Sequence, residues 1–358
     1  MTARLCMVVG DWPDVDRERW RQAQMPAGFL EPDRPASRWS PARRRIAVQA
    51  YGQWLAALDR NGELDPSCTP GDRVTEARVR CFVEELRGRV APASVSMMTG
   101  ALLRMLEVLE PERDWDLMAR VYRHFKRTAT SSRNKLACMA PATDLFELGL
   151  RLMDSCHASQ GKTYQATRYR DGLLIALLIS CPMRLKNLAG LVIGQHLLFE
   201  EQAYRMELTA AETKTGRPYI APVPHELTPC IDEWLGVYRV HLIEHGRNQV
   251  GGIGAPLWVD RAGRPMSSGA IRAQIERRTR LAFGKAIWPH LFRDCAVTEL
   301  VDCAPEEIGI APDLLGHADL RTTQRYYIQA VGMKAHVQVQ EMIAVRRRAA
   351  AARGTSGA

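Results

Sequence analysis

The sequence contains no closely spaced pair of cysteines. Its nine cysteines, an odd number, are scattered along 358 residues without any Cys-x-x-Cys arrangement. The disulfide frameworks of small secreted domains and cysteine zinc sites both need cysteines at short, regular spacings. The spacing therefore argues against both classes and predicts reduced thiols that are mostly buried.

Long apolar segments are missing as well. The longest strongly apolar run, GLLIALLISCPM at 172–183, is far shorter than the ~20 residues needed to cross a bilayer. The N-terminal LCMVVG is too short for the apolar region of a signal peptide, and it leads directly into the charged DWPDVDRE. We therefore expect a cytoplasmic protein without a membrane span.

Acidic residues are the minority among the charged ones. Lys and Arg number 49 against 40 for Asp and Glu, and the sequence pI is about 9.2. Arginine contributes heavily to the excess, and its planar guanidinium matches phosphate geometry better than a lysine ammonium does. This favours a nucleic acid partner, although an arginine-rich and alanine-rich composition would produce part of the same excess.

The length and the apolar content of 46% predict two domains with separate cores. After an irregular, proline-containing start, helical spacing predicts a helix over 41–60, capped by Ser40 and stopped at Asn61-Gly62. Two more helices follow, with Thr75 and Ser94 as their expected N-caps, and then a short one at about 115–127. Residues 1–128 are thus predicted to be an all-helical domain.

Residues 129–141 are polar, basic and small, which is typical of an interdomain linker. The chain beyond it mixes periodicities. YRMEL and PYIAPV alternate like strands around the turn ETKTGR. Helices are predicted at about 142–157, 166–181, 227–245, 267–283, 290–302, 306–315, 319–330 and 334–350. The fold class is therefore mainly α, with a second domain of mixed α+β type that contains a small antiparallel sheet.

Four separated segments of the second domain carry candidate chemistry, and each has an ordinary structural explanation by itself. Arg184 follows a buried helix, where it needs a partner that offsets its desolvation. Lys214 lies in a turn, from which a long cationic side chain can reach away from the sheet. His290 and Arg293, three residues apart at a predicted helix start, face the same way.

The fourth segment is LGHADLRTTQRYY, which places His317 nine residues before the adjacent tyrosines Tyr326 and Tyr327. The ordered set of Arg, Lys, His-x-x-Arg, Gly-His and Tyr resembles the tyrosine recombinase, or phage-type integrase, family. The resemblance covers about 140–332, and PASVSMMTGALLRMLEVLEP extends it more weakly to the first domain. It implies a helical, SAM-like core-binding domain at 1–128, a catalytic domain at 142–332 and a C-terminal segment, 333–358, for contacts between protomers.

The residue types suit phosphodiester transfer. Two guanidiniums can clamp the non-bridging oxygens of a phosphate, which suits Arg184 and Arg293. A positioned amine such as that of Lys214 can protonate a poor leaving group, and histidines such as His290 and His317 can move a proton or hold phosphate. Tyrosine gives a phosphoester with a phenol of pKa about 10, which is a better leaving group than an alcohol.

By resemblance, Tyr326 is the nucleophile, and no ATP, metal or other cofactor is implied. Since neighbouring helical residues point about 100° apart, only one of the two tyrosines can reach a given phosphate, and the spacing from His317 selects Tyr326. The resemblance also implies double-stranded DNA with specific sites as partner, a tetramer on paired sites, and a role in recombining the DNA of mobile elements, with integration and excision both left open.

Two positions depart from the family pattern. Asn187 stands where an acidic residue is common, so an uncharged amide would have to orient Arg184. Asp294 follows the second arginine, where basic or hydroxyl residues are commoner.

The sequence leaves three other functions open. A type IB topoisomerase-like relaxing enzyme would share the phosphotyrosine step, and a non-catalytic DNA binder would be expected to lack part of the polar set. The HLIEH segment also matches the His-x-x-Glu-His pattern of a zinc hydrolase, with His241, Glu244 and His245. Against zinc, the apolar residues of this helix form one stripe, and the histidines fall beside it or away from it.

Overall fold

The computed structural model describes residues 4–31, 34–129, 134–155, 161–246 and 255–303, and it describes residues 301–303 by their backbone alone. Contacts divide the chain into two units, Met1–Asn134 and Lys135–Ala358. The division falls inside the segment 129–141, which was predicted as a linker and which also contains a short helix, α6 (Lys135–Cys138). Each unit has its own apolar core.

The described part of unit 1 contains five α-helices, α1 to α5, packed around tryptophan and leucine side chains. They span Asp14–Ala23, Pro41–Arg60, Glu76–Arg89, Pro92–Leu109 and Asp116–Thr128. The expected caps of α2 and α3 are confirmed, because the hydroxyls of Ser40 and Thr75 accept backbone N–H groups of the first turn. The expected cap at Ser94 is wrong: Pro92 starts α4 early, and Ala91 occupies the N-cap position.

Helix α1 was not predicted, because the prolines around it suggested an irregular start. Pro13 instead occupies the N-cap position, and α1 is attached to the rest of unit 1 by a buried polar cluster. The carboxylate of Asp16 accepts from the hydroxyl of Tyr51 at 2.7 Å and from the guanidinium of Arg73 at 2.6 Å. All three side chains are buried, so the pairing offsets the desolvation of both charges.

Unit 2 is mainly helical and contains one three-stranded sheet, which confirms the predicted fold class. Its longer helices are α7 (Ala142–Asp154), α8 (Lys162–Ser180), α12 (Ser268–Phe283) and α13 (Pro289–Cys303), and α9 (Leu185–Ala189) is a single short turn. A further helical stretch consists of α10 (Thr228–Glu233), a π-turn (Trp234–Tyr238) and α11 (Arg239–His245). Within the described ranges, no helix combines the length and apolarity needed to cross a membrane.

The sheet is antiparallel in the order β1 (Leu197–Glu200), β2 (Ala203–Leu208), β3 (Tyr219–Pro222). The two predicted strands are β2 and β3, whereas β1 was not recognised as a separate strand. Along β2 the side chains alternate between buried and half-buried, and this inward face covers the core. The connection from β2 to β3 runs over 209–218, beside the turn between α8 and α9.

Helices α7 and α8 approach so closely that their backbones touch. A Cβ atom added at Gly149 would lie 2.8 Å from the carbonyl oxygen of Gly172 and 2.8 Å from the Cβ of Ala176. A Cβ added at Gly172 would lie 2.6 Å from the carbonyl oxygen of Gly149. Glycine is needed at both positions, and the contact places the buried helix α8, whose C-terminal end leads to Arg184.

We predict that Gly149→Ala destabilises unit 2, because the new methyl group meets backbone atoms that cannot move independently. Overpacking of this kind costs about 1–3 kcal/mol. Urea denaturation followed by circular dichroism measures the loss. Gly236→Ala is the matched control: among the described residues, no atom outside the backbone of its own helix lies within 4 Å of its added Cβ, and Ala in a helix is favoured over Gly by up to about 1 kcal/mol. Equal stability of both variants and the wild type would contradict the close contact.

Candidate active site

Arg184 lies at the corner between α8 and α9. Helix α8 ends at Ser180, and Pro182 prevents its continuation because proline lacks an N–H group and disfavours a helical residue before it. Arg184 has extended backbone angles, φ −73° and ψ 143°, and occupies the N-cap position of α9. Its side chain is half-buried, with one end available to the surface.

His290 and Arg293 lie in the first turn of α13, as their spacing predicted. Arg293 is buried, with 2% of its surface exposed, and its Nη1 donates a hydrogen bond of 2.7 Å to the carbonyl oxygen of Pro182. This bond fixes one guanidinium against the chain two residues before Arg184. Burial and the nearby charge of Arg184 lower the pKa of Arg293 to about 10, so it remains a cation at neutral pH.

The two arginines share a small recess of about 20 Å³. Its other lining residues come from the α8–α9 corner, α9, the end of β2, the β2–β3 connection and the start of β3; they are Met183, Asn187, Leu208, Thr213, Thr215, Arg217, Pro218 and Tyr219. Arg217 adds a third guanidinium to the lining. Neighbouring cations repel each other unless an anion lies between them, and guanidiniums bind phosphate oxygens in a bidentate manner. The recess is therefore suited to a phosphate group.

His290 retains contact with solvent, but the surrounding protein removes part of its hydration. This desolvation lowers the pKa of His290, and the positive charges of Lys135, Arg293 and Arg184 lower it further. The carboxylate of Asp294 acts in the opposite direction. Asp294, whose role the sequence left open, is thus a buried negative charge that favours the protonated form of His290.

The first residues of unit 2 are attached to the helix that carries His290 and Arg293. Lys135 forms an ion pair of 3.6 Å with Asp294, and the backbone N–H of Ala142 donates to Oε2 of Glu299 at 3.1 Å. Just before α13, the ammonium of Lys285 donates to the carbonyl oxygens of Ala137 at 3.1 Å and Met139 at 2.6 Å. The entry segment 135–142 is therefore held along α13.

Lys214 lies in the β2–β3 connection and is exposed. Its neighbours Thr213 and Thr215 line the recess, so the lysine is carried next to the two arginines without lining the recess itself. In the part of the chain that the structure describes, no hydrogen bond or ion pair is recorded for its ammonium. Its position therefore depends on the backbone of the loop.

The hydrogen-bond partner of Asn187 and the presence of Tyr219 in the recess differ from what the sequence predicted. The amide of Asn187, expected to orient Arg184, instead donates to the carbonyl oxygen of Glu212 at 3.3 Å and so links α9 to the β2–β3 connection. Tyr219 was not predicted, although the strand alternation places it on the inner face at the start of β3. Burial raises the pKa of its phenol, so a neutral hydroxyl-bearing side chain lines the recess.

Two of the six predicted residues, His317 and Tyr326, lie outside the described residues, as do Tyr327 and the C-terminal segment 333–358. The structure thus locates four of the six. It groups Arg184, His290 and Arg293 and places Lys214 in the adjoining loop.

The histidines of the zinc alternative are engaged separately. Nε2 of His241 lies 3.1 Å from the hydroxyl of Thr163, whereas Nδ1 of His245 donates to the carbonyl oxygen of His241 at 3.0 Å. The two rings pack on each other with centroids 4.2 Å apart. Among the described residues, no group of three or more His, Cys, Asp or Glu side chains is arranged to hold a metal. The zinc hydrolase alternative is not favoured.

Known proteins are similar to this chain in sequence and in fold. The sequence model described as the phage integrase family matches residues 149–332. Tyrosine recombinase XerC of Pseudomonas fluorescens is 24% identical over 177 residues, which cover 49% of this chain and 51% of that protein. Tyrosine recombinase XerC of Treponema denticola is 27% identical over 286 residues, or 77% of this chain and 83% of that protein. The chain spans about half the length of the first of these two relatives.

The fold is similar to that of a site-specific recombinase of known structure. The post-cleavage complex of XerH with a palindromic difH substrate has a TM-score of 0.60 at 16% identity, covering 94% of this chain and 99% of that one. The XerH pre-cleavage complex gives a TM-score of 0.56 at 17% identity, over 80% of this chain and 76% of that one.

The charges around His290 predict that two substitutions shift the pKa of His290 in opposite directions. Asp294→Asn removes a nearby negative charge, so the pKa of His290 should fall below its wild-type value. Lys135→Met removes a positive charge and leaves the carboxylate unpaired, so the same pKa should rise. NMR titration of ring-labelled histidine measures both shifts, with His290→Gln to assign the resonance. Shifts of the same sign in the two variants would contradict this account of the site.

Proposed function

The chain belongs to the phage integrase family, and from this premise we propose that it is a site-specific DNA recombinase that cuts and rejoins strands through a 3′-phosphotyrosyl intermediate. The observation that carries the proposal is the recess shared by Arg184 and Arg293, one of them fixed by a backbone hydrogen bond. Guanidiniums that line a recess without a resident carboxylate are suited to a phosphodiester.

The proposed reaction consists of two transesterifications. The phenolic oxygen of Tyr326 forms a bond to the scissile phosphorus, and the bond from phosphorus to the 5′-oxygen breaks. The phenol proton is lost and the 5′-oxygen gains a proton, which leaves a 3′-phosphotyrosyl link and a free 5′-hydroxyl. Attack by the 5′-hydroxyl of another strand reverses these steps and releases the tyrosine, so the bond energy is conserved and no ATP is consumed.

Each remaining site residue has a role that its chemistry supports. Arg184 and Arg293 stabilise the charge that develops on the non-bridging oxygens, and Lys214 donates the proton to the leaving 5′-oxygen. His290 has a lowered pKa that keeps a neutral fraction available near pH 7, so it is suited to proton transfer. His317 assists in holding the phosphate. The assignments of Tyr326 and His317 are based on the sequence alone.

The proposed partner is double-stranded DNA that contains specific recombination sites. Unit 1 is proposed as the core-binding domain, residues 142–332 as the catalytic domain, and 333–358 as the segment that contacts a neighbouring protomer in a tetramer. Because the proposed substrate is DNA, the proposed location of the enzyme is the cytoplasm. The net charge of +9 supports binding through phosphates, so affinity should fall as the salt concentration rises.

A type IB topoisomerase-like activity would use the same recess and the same tyrosine, but the similarity to tyrosine recombinases does not favour it. It differs in needing no second DNA site. Joining of strands from two different duplexes supports recombination, whereas relaxation of one supercoiled duplex without strand exchange supports the topoisomerase.

The identity of the nucleophile is tested by trapping the covalent intermediate. A duplex is selected for binding from a randomised library and is then nicked beside the cleavage point, so that the short 5′-hydroxyl fragment diffuses away and the adduct accumulates. We expect a covalent adduct with the wild type and with Tyr327→Phe, and none with Tyr326→Phe, because phenylalanine has no oxygen to form the ester. Denaturing gel electrophoresis detects the adduct.

Tyr327→Phe is the matched control, since it removes the same hydroxyl from the adjacent position. An adduct that persists in Tyr326→Phe would overturn the assignment of the nucleophile. A wild-type protein that binds the selected duplex and never forms an adduct would overturn the proposed function itself.

The role of Lys214 is tested by changing the leaving group. Sulfur in place of the 5′-bridging oxygen leaves as a thiolate, since a thiol ionises near pH 8.5 and needs no proton donor. Loss of a general acid typically costs about 10²- to 10⁴-fold in rate. Lys214→Ala should show a loss of this order with the oxygen substrate and a rate close to wild type with the sulfur substrate, measured by adduct formation in single turnover.

Arg184→Ala is the control for this experiment, because it acts on the non-bridging oxygens. Its rate should stay low with both substrates. If sulfur fails to rescue Lys214→Ala, the lysine is not the general acid.

A further inference from the structure

A short chain of hydrogen bonds connects the turn before β1 to the loop that carries Lys214. It consists of the side chains of His196 and Glu212, which lie 2.7 Å apart at Nε2 and Oε1. His196 is buried, with 6% of its surface exposed, and precedes β1. Glu212 ends the short turn that follows β2, two residues before Lys214.

The geometry defines the proton positions on His196. The backbone N–H of Val192 points to Nδ1 at 3.0 Å, and because an N–H can only donate, Nδ1 must be the acceptor. The other nitrogen, Nε2, therefore carries the hydrogen and donates to Glu212. Backbone bonds hold the residue on both sides: its N–H donates to Val192 at 2.8 Å, and its carbonyl oxygen accepts from Glu207 at 2.9 Å. The imidazole is thus a rigid donor.

Glu212 receives three donors on its carboxylate. Its Oε2 accepts from the backbone N–H of Thr209 at 2.8 Å and from the Thr209 hydroxyl at 2.7 Å, while Oε1 accepts from His196. Together these bonds lower the pKa of Glu212 to about 2, so the carboxylate is charged at any pH at which the protein would be assayed. Three donor atoms from two other residues, Thr209 and His196, therefore meet at one charged group.

The same residue also accepts through its backbone. The carbonyl oxygen of Glu212 takes a hydrogen bond of 3.3 Å from the amide of Asn187, on the helix that Arg184 caps. Beyond Glu212, the hydroxyl of Thr213 lies 2.6 Å from the carbonyl oxygen of Arg217 and closes the loop around Lys214. The start of the loop is thus tied to α9 and to β1, while Lys214 itself has no recorded partner within the described residues.

We propose that His196 and Glu212 are positioning residues that set the location of the Lys214 ammonium relative to the two arginines. The inference rests on the proposed function, because it assigns their effect to proton donation by Lys214. When a lysine ammonium makes no hydrogen bonds, its position is set by the backbone that carries it. A displacement of about 1 Å at a reacting group can cost on the order of 10²-fold in rate.

The test uses the full chain and the oxygen and sulfur substrates described above. Glu212→Gln removes the charge and at least one of the three accepted bonds at nearly constant shape. His196→Leu removes the donor but keeps the carboxylate, so an effect common to both cannot arise from charge alone. We expect each variant to form the adduct tenfold to a hundredfold more slowly with the oxygen substrate and at close to the wild-type rate with the sulfur substrate.

Double variants give a second measure, independent of the choice of substrate. If the pair acts through Lys214, adding Glu212→Gln to Lys214→Ala should cause no further loss with the oxygen substrate, because the group being positioned is already gone. Losses that multiply would overturn the proposal. So would a loss of equal size with both substrates, which is the result expected from a merely structural defect.

Glu226→Gln is the matched control, since it neutralises an exposed carboxylate of the same unit whose side chain bonds to none of the described residues, and its rates should equal those of the wild type. Failure of the positioning role and failure of the proposed function give different results. Adduct formation by the wild type, with no sulfur rescue in the Glu212 and His196 variants, overturns only the positioning role. Absence of any adduct with the wild type on either substrate overturns the proposed function.

Discussion

The hydrogen bond from Arg293 to the carbonyl oxygen of Pro182 is the interaction on which the site depends. It brings a buried guanidinium from α13 to the corner where α8 ends and Arg184 begins. Holding two cations near each other is unfavourable, and burying one of them adds to the cost, as the lowered pKa of Arg293 shows. The site can retain this arrangement because the elements that meet there are fixed independently, by the α7–α8 contact and by the attachment of the entry segment to α13.

The same arrangement explains how the site is divided between rigid and adjustable parts. The two arginines are placed by helices, whereas Lys214 is placed by a loop whose start is tied down at Glu212. Proton donation requires a group that can approach a leaving oxygen, while stabilisation of a developing charge requires groups that do not move. Asp294 and Lys135 then act on His290 through charge, so the entry to unit 2 influences the site electrostatically as well as by packing.

Local patterns in the sequence were sufficient to predict the parts of the structure that depend on residues close together in the chain. The pairing of His290 with Arg293 follows from helical spacing, and the caps at Ser40 and Thr75 follow from residue type. Features that depend on distant contacts could not be predicted this way. The partner of Asn187 is a backbone carbonyl 25 residues away, and the cation pair needs the α8–α9 corner to meet α13. Pro92 also shows that one early proline can override a good cap at Ser94.

Several bonds that build the site end on main-chain oxygens. Arg293 donates to Pro182, Asn187 to Glu212, and Lys285 to Ala137 and Met139. A carbonyl oxygen is present whatever side chain the position carries, so substitution there leaves the acceptor in place. Only the donors need to be retained, together with the path of the backbone. Such a framework can accumulate substitutions over evolutionary time without losing its geometry, and this is consistent with a shared fold at 16% sequence identity.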